Sequence, residues 1–127
     1  RRYGRCVFIA STAASVAEHA GSAYNSSKTG LLGLMRSFSQ DGGAFNITSN
    51  AVLPGWVRTE MAERSARAEA RARGITPEQV WEERNALYAP GRVATPREVA
   101  EMIAFFASEE SSGVSGQEVK VALGNTS

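Results

Sequence analysis

Residues 6–10, Cys-Val-Phe-Ile-Ala, form a short apolar run with no polar residue alternating through it. A strand with one wet face alternates, whereas a strand apolar throughout is buried on both faces, as in a parallel sheet covered by helices. That run commits the chain to a layered α/β arrangement. It begins almost at the first residue, and only two further strand patterns follow. One is residues 47–53, "ITSNAVL", stopped by Pro54-Gly55. The other is "QEVKVAL", where Val119 and Val121 alternate with polar neighbours. Three strands are few for a sheet that buries one of its members on both sides, so the sequence reads as the second half of something larger.

Helical patterns fill the intervals. Leu31, Leu34, Met35 and Phe38 recur at three- and four-residue spacing and predict a helix over about 23–40, closed by Gly42-Gly43. Residues 60–73 are charged and Ala-rich, with Glu60/Arg64, Glu63/Arg67 and Glu69/Arg73 spaced to pair along a solvated helix face. Thr76-Pro77-Glu78-Gln79 and Thr95-Pro96-Arg97-Glu98 both read as helix starts, with Thr as cap, Pro in the first turn and Gln or Glu three after the cap. The second opens an amphipathic helix carrying Val99, Ile103 and Phe106. Strand, helix, strand, helices, strand predicts an open α/β sheet joined by right-handed crossovers.

A net charge of +1 provides no basic field for nucleic acid or an anionic membrane surface. No apolar stretch approaches the roughly 20 residues of a membrane span, and the first apolar run is shorter than the core of a secretory signal. A single cysteine, Cys6, excludes an internal disulfide framework, and a single histidine, His19, cannot make a metal site. A cytoplasmic protein with no metal is the expectation, and His19 reads as a solvated loop residue or, between serine and tyrosine, as a substrate contact.

The chemistry concentrates in "SAYNSSKTG", residues 22–30, where Tyr24 stands one helical turn before Lys28 in a chain with two lysines and twelve arginines. A free tyrosine has a pKa near 10, too high for efficient proton exchange at neutral pH, and a cation one turn away favours the phenolate. Lysine presents a compact ammonium on a flexible stem, suited to that task and to the hydroxyls of a bound sugar. Ser11 follows the first strand and residues 54–59 follow the second. Both therefore border the crevice outside the carboxyl ends of the strands, where open α/β sheets bind ligands. A serine hydroxyl there can orient a carbonyl. The Tyr-x-x-x-Lys pair alone is a weak signal; its surroundings strengthen it.

"VFIAS", "YNSSK", "SNAVLPGWVRT", "GRVATPREVAEMIAFFAS" and "SSGVSGQEV" together resemble the short-chain dehydrogenase/reductase family over essentially all 127 residues. The style is similar to that of 3-oxoacyl-carrier-protein reductases and aromatic polyketide ketoreductases. The resemblance implies the C-terminal half of a Rossmann-like doubly wound sheet, with the dinucleotide-binding half absent from residues 1–127. It implies Ser11, Tyr24 and Lys28 as catalytic residues, with Lys28 also holding the nicotinamide ribose. Pro54 and Gly55 would pass under the nicotinamide, with Val57 and Thr59 near its carboxamide or the phosphates. It implies NAD(P)(H), with NADP favoured by family style, and a small-molecule or acyl-carrier-bound ketone or alcohol as substrate. A mobile lid over about 60–90 would cover the substrate, with Met61, Trp81 and Tyr88 within it and Trp56 flanking it; ordinary aromatic packing explains these four as well. Ser26, Ser27, Gly30 and Gly33 would let a helix of another subunit approach in a homodimer or homotetramer, or would pack on the molecule's own sheet. The alternative to an oxidoreductase is a non-catalytic nucleotide-sensing or scaffold protein. Scaffolding requires none of the serine, tyrosine and lysine.

Overall fold

The computed structural model describes residues 2–17 and 19–125. Its sheet has three parallel strands in the order β1 (Gly4–Ile9), β2 (Ile47–Pro54), β3 (Glu118–Val121). Helix α1 (Ser22–Gly43) joins the first two strands. Helices α2 (Glu60–Arg73), α3 (Pro77–Ala86) and α4 (Pro96–Ala107) lie between β2 and β3.

β2 is the central strand, and residues 48–53 are all buried. Period-two alternation splits them. Ser49, Ala51 and Leu53 face α1: Ser49 Oγ donates to Met35 O at 2.9 Å, and the other two join Leu32 and Met35 in one apolar cluster. Asn50 faces the opposite way. It is fully buried and satisfied at both ends of its amide, Nδ2 donating to Val114 O (2.8 Å) and Oδ1 accepting from Gln117 N (3.1 Å). α4 lies on that second face, since Arg5, whose side chain leaves β1 opposite Phe8, reaches Ser108 O at the end of α4.

Three sequence expectations are corrected. β1 is half-buried rather than enclosed, because the strand order puts it at an edge, and Ile9 at its end is 42% exposed. The two crossovers cannot both be right-handed. The chain steps the same way across the sheet twice while covering opposite faces, so its two connections have opposite hands. The handedness rule describes one helix returning directly onto a twisted sheet, whereas the β2–β3 connection first runs through α2 and α3. Finally, α1 buries Leu32 and Met35, while Leu34 and Phe38 stay more than 40% exposed. Gly30 and Gly33 face open space, so packing on the molecule's own sheet does not explain them.

Both capping boxes form as the sequence predicts. At the second, Glu98 accepts from Thr95 N (2.8 Å) and from both terminal nitrogens of Arg92 (2.7 and 3.0 Å). The Arg92 guanidinium, then the Thr95 N–H, hold its carboxyl at about 2, below the ordinary 4.5. The folded state thus takes up this proton less readily than the unfolded chain. The stabilisation is full above the unfolded value and is lost as pH falls from about 5 towards 2. Glu98→Gln keeps an acceptor for Thr95 N–H but carries no charge, so its Tm should fall less steeply than the parent's across that window. Parallel acid limbs in thermal melts would show that Glu98 does not govern it.

Candidate active site

The carboxyl ends of β1 and β2 open onto a cleft of about 630 Å³. Ser11, immediately past β1, is extended and caps a 3-10 turn at Thr12–Ala14, its Oγ accepting from Ala13 N at 3.1 Å. That bond uses a lone pair and leaves the hydroxyl proton to be donated into the cleft. Thr59 has the same arrangement: it caps α2 by accepting from Ala62 N at 3.2 Å.

Tyr24 and Lys28 occupy adjacent turns at the start of α1. The loop before the helix is tied to it by Asn25 Nδ2 donating to Val16 O (2.9 Å) and Thr29 Oγ1 donating to Ala14 O (3.1 Å). Lys28 Nζ donates to Ile9 O at 3.1 Å, fastening the helix to the end of β1, and lies 5.7 Å from the centroid of the Tyr24 ring. The tyrosine ring is 48% exposed and lines the cleft. The turn after β2 lines the same cleft. Gly55 N donates to Val121 O and Trp56 N to the Tyr88 hydroxyl at 2.6 Å, while Val57 makes an isolated parallel bridge with Ala94.

Ser11, Tyr24, Lys28, Pro54, Gly55, Trp56, Val57, Thr59 and Met61 thus line one cleft. Trp81 and Tyr88 do not. They are buried in a cluster with Ala62, Ala66, Ala70 and Val80 that joins α2 to α3. His19 is exposed and outside the cleft.

The helical pair is less solvated than its charge pattern implies. Glu60/Arg64 and Glu69/Arg73 pair along α2, but Glu63 turns to Arg58 (2.6 Å) and accepts from Trp81 Nε1 (3.0 Å). The Arg58 guanidinium, then the indole N–H, hold its carboxyl below the usual carboxylate range. Arg84, absent from the sequence-based candidates, is buried between α2 and α3. The signal was there, since Trp81 and Arg84 are three apart on one helix face. Pro96 and Val99 also reach the cleft, through a return of the chain that no local pattern announces.

Among the described residues no group of three His, Cys, Asp or Glu is placed to hold a metal ion, and no helix is long and apolar enough to cross a membrane.

The protein family described as enoyl-(acyl carrier protein) reductase matches residues 1–126. The chain is 35% identical to a putative ketoacyl reductase of the monensin polyketide synthase from Streptomyces virginiae, covering 98% of this chain and 49% of that protein. It is 34% identical to acetoacetyl-CoA reductase from Shinella zoogloeoides, covering 94% and 45%. Two solved structures superimpose with TM-scores of 0.91. One is a variant of actinorhodin polyketide ketoreductase with NADPH, at 32% identity over 98% of this chain and 48% of that one. The other is a short chain dehydrogenase family protein from Francisella tularensis, at 27% identity over 94% and 50%. The chain spans about half the length of the curated relatives it matches.

Proposed function

The chain belongs to the short-chain dehydrogenase/reductase family, and from that premise we propose that it carries the carbonyl-handling half of a nicotinamide-dependent ketoreductase site. The observation that carries this reading is the single cleft shared by Ser11, Tyr24 and Lys28 beneath the turn at residues 54–57.

The residues fit a nicotinamide nucleotide. The Lys28 ammonium stands at the end of β1 for the ribose hydroxyls, and Pro54, Gly55 and Thr59 line the same cleft. NADPH is the form present in the ketoreductase neighbour and is the cofactor we assign. When bound, it supplies the hydride. Ser11 donates its remaining hydrogen bond to the substrate carbonyl and fixes which face is presented. Tyr24 gives its phenolic proton to the oxygen as negative charge develops there. Lys28 offsets the charge left on the tyrosine oxygen. Trp56, Met61, Pro96 and Val99 make the substrate end apolar, which suits the body of a 3-oxoacyl or polyketide-type ketone. The exposed Leu34 and Phe38 on α1, with Gly30 and Gly33 beside open space, support a subunit contact along that helix.

The test is stoichiometric oxidation of NADPH with formation of a secondary alcohol by the complete protein, supplied with 3-oxoacyl thioesters and cyclic ketones. Binding of NADPH with no turnover of any of them would favour the scaffold reading. Lys28→Ala should weaken cofactor binding and lower kcat together, each by about tenfold to a hundredfold. Lys28→Arg keeps the charge without the ammonium geometry, so it should recover part of kcat and little of the cofactor affinity. Equal recovery of both would show that charge alone is needed at this position.

A further inference from the structure

Trp56 is the largest side chain lining the cleft, and its indole is clamped from behind. The Arg84 guanidinium carbon lies 3.7 Å from the centroid of the Trp56 ring and 4.9 Å from that of Trp81, with the two indoles 6.5 Å apart at 82°. Arg84 is 5% exposed and does not line the cleft, whereas Trp56 is 36% exposed and does. The guanidinium is held in turn by α2: Nη1 donates to Ala62 O (3.3 Å), and Nη2 donates to Ser65 Oγ (3.3 Å) and Glu69 Oε2 (2.9 Å). The backbone of Trp56 is fixed separately, by its N–H on the buried Tyr88 hydroxyl.

We infer that Arg84 is the positioning residue that sets substrate specificity, by pressing the Trp56 indole into one orientation as the wall of the substrate end. Only a planar cation can do this here. The guanidinium stacks on one indole while its in-plane N–H groups reach three acceptors on α2; an ammonium can make the ion pair but not the stack. With Trp56 held flat against the guanidinium, the cleft selects a ketone whose apolar group lies along the indole. This rests on the ketoreductase reading for its substrate, but the anchoring of Trp56 does not.

The experiment uses the complete protein labelled with 5-fluorotryptophan, the Trp56 resonance being assigned with Trp56→Phe. In the unsubstituted protein Trp56 should give one sharp line. In Arg84→Lys and Arg84→Met the line should broaden or split as the indole samples other rotamers. Selectivity for a bulky cyclic ketone over a small aliphatic one should fall by about tenfold, through KM, while cofactor affinity stays within about twofold. Arg84→Lys keeps the charge opposite Glu69 and so guards against a variant that fails to fold. A sharp, unshifted Trp56 line in Arg84→Lys with selectivity retained overturns the inference. So does a loss of kcat with KM and the resonance unchanged, which would make Arg84 merely structural. If the unsubstituted protein turned over no ketone, the ketoreductase reading would fail, and the Trp56 resonance would still decide whether Arg84 anchors the indole.

Discussion

Tyr24→Phe is expected to lower kcat by about 10²–10⁴-fold while cofactor affinity stays nearly unchanged. The substitution removes one oxygen from a ring that is half-exposed at the mouth of the cleft, so it opens no core cavity. The helix start is unaffected, because the bonds that tie it down come from Asn25, Lys28 and Thr29 and not from the phenol. Only the phenolic oxygen, the proton donor proposed above, is lost. Turnover and cofactor dissociation constants of the complete protein decide the matter together. More than a few per cent of parental activity would place the proton donor elsewhere, and weakened cofactor binding would give the phenol a binding task.

Gly55→Ala should lower stability by about 1–3 kcal/mol and kcat/KM by about a hundredfold. A methyl group at this position would stand 2.6 Å from the Tyr88 hydroxyl oxygen and 3.1 Å from a ring carbon. That ring is 5% exposed, and the same oxygen accepts from Trp56 N, so neither side can yield without moving the turn that walls the cleft. The glycine is demanded by space rather than by backbone angle. Adding Tyr88→Phe to Gly55→Ala removes the oxygen involved and should recover part of the stability, read by denaturant melts as a double-mutant cycle. Additive losses would mean that the two residues do not interact.

The pattern of what was legible follows from distance along the chain. Tyr24 and Lys28, and the caps at Thr76 and Thr95, are local arrangements on one helix, so spacing alone reveals them. The rule that strand ends face ligands places Ser11 and the turn at 54–59 at one crevice, and the cleft brings them together. On α1 the exposed Leu34 and Phe38 stand at helical spacing just as the buried Leu32 and Met35 do, and periodicity cannot say which stripe meets the sheet. Trp81 and Tyr88 lie in a stretch whose aromatics read equally as lid or as packing. Their burial is decided by α2 and α3 closing on each other. For Arg84 only the spacing to Trp81 is local; its partners Trp56 and Glu69, which show what it holds, are distant in sequence.

The buried amide of Asn50 has a consequence for errors of assembly. The segment leading into β3 supplies both of its partners, a carbonyl at Val114 and an N–H at Gln117. The apolar residues of β3 alone would discriminate poorly between neighbouring alignments, since the strand is four residues long with two valines. A slip by a single residue would turn those valines to the wrong face and also strand a donor and an acceptor away from water, at about 1–3 kcal/mol for each group left unpaired. Asn50 therefore acts as a key cut for one alignment. Only in that position does the last strand meet both groups of the amide.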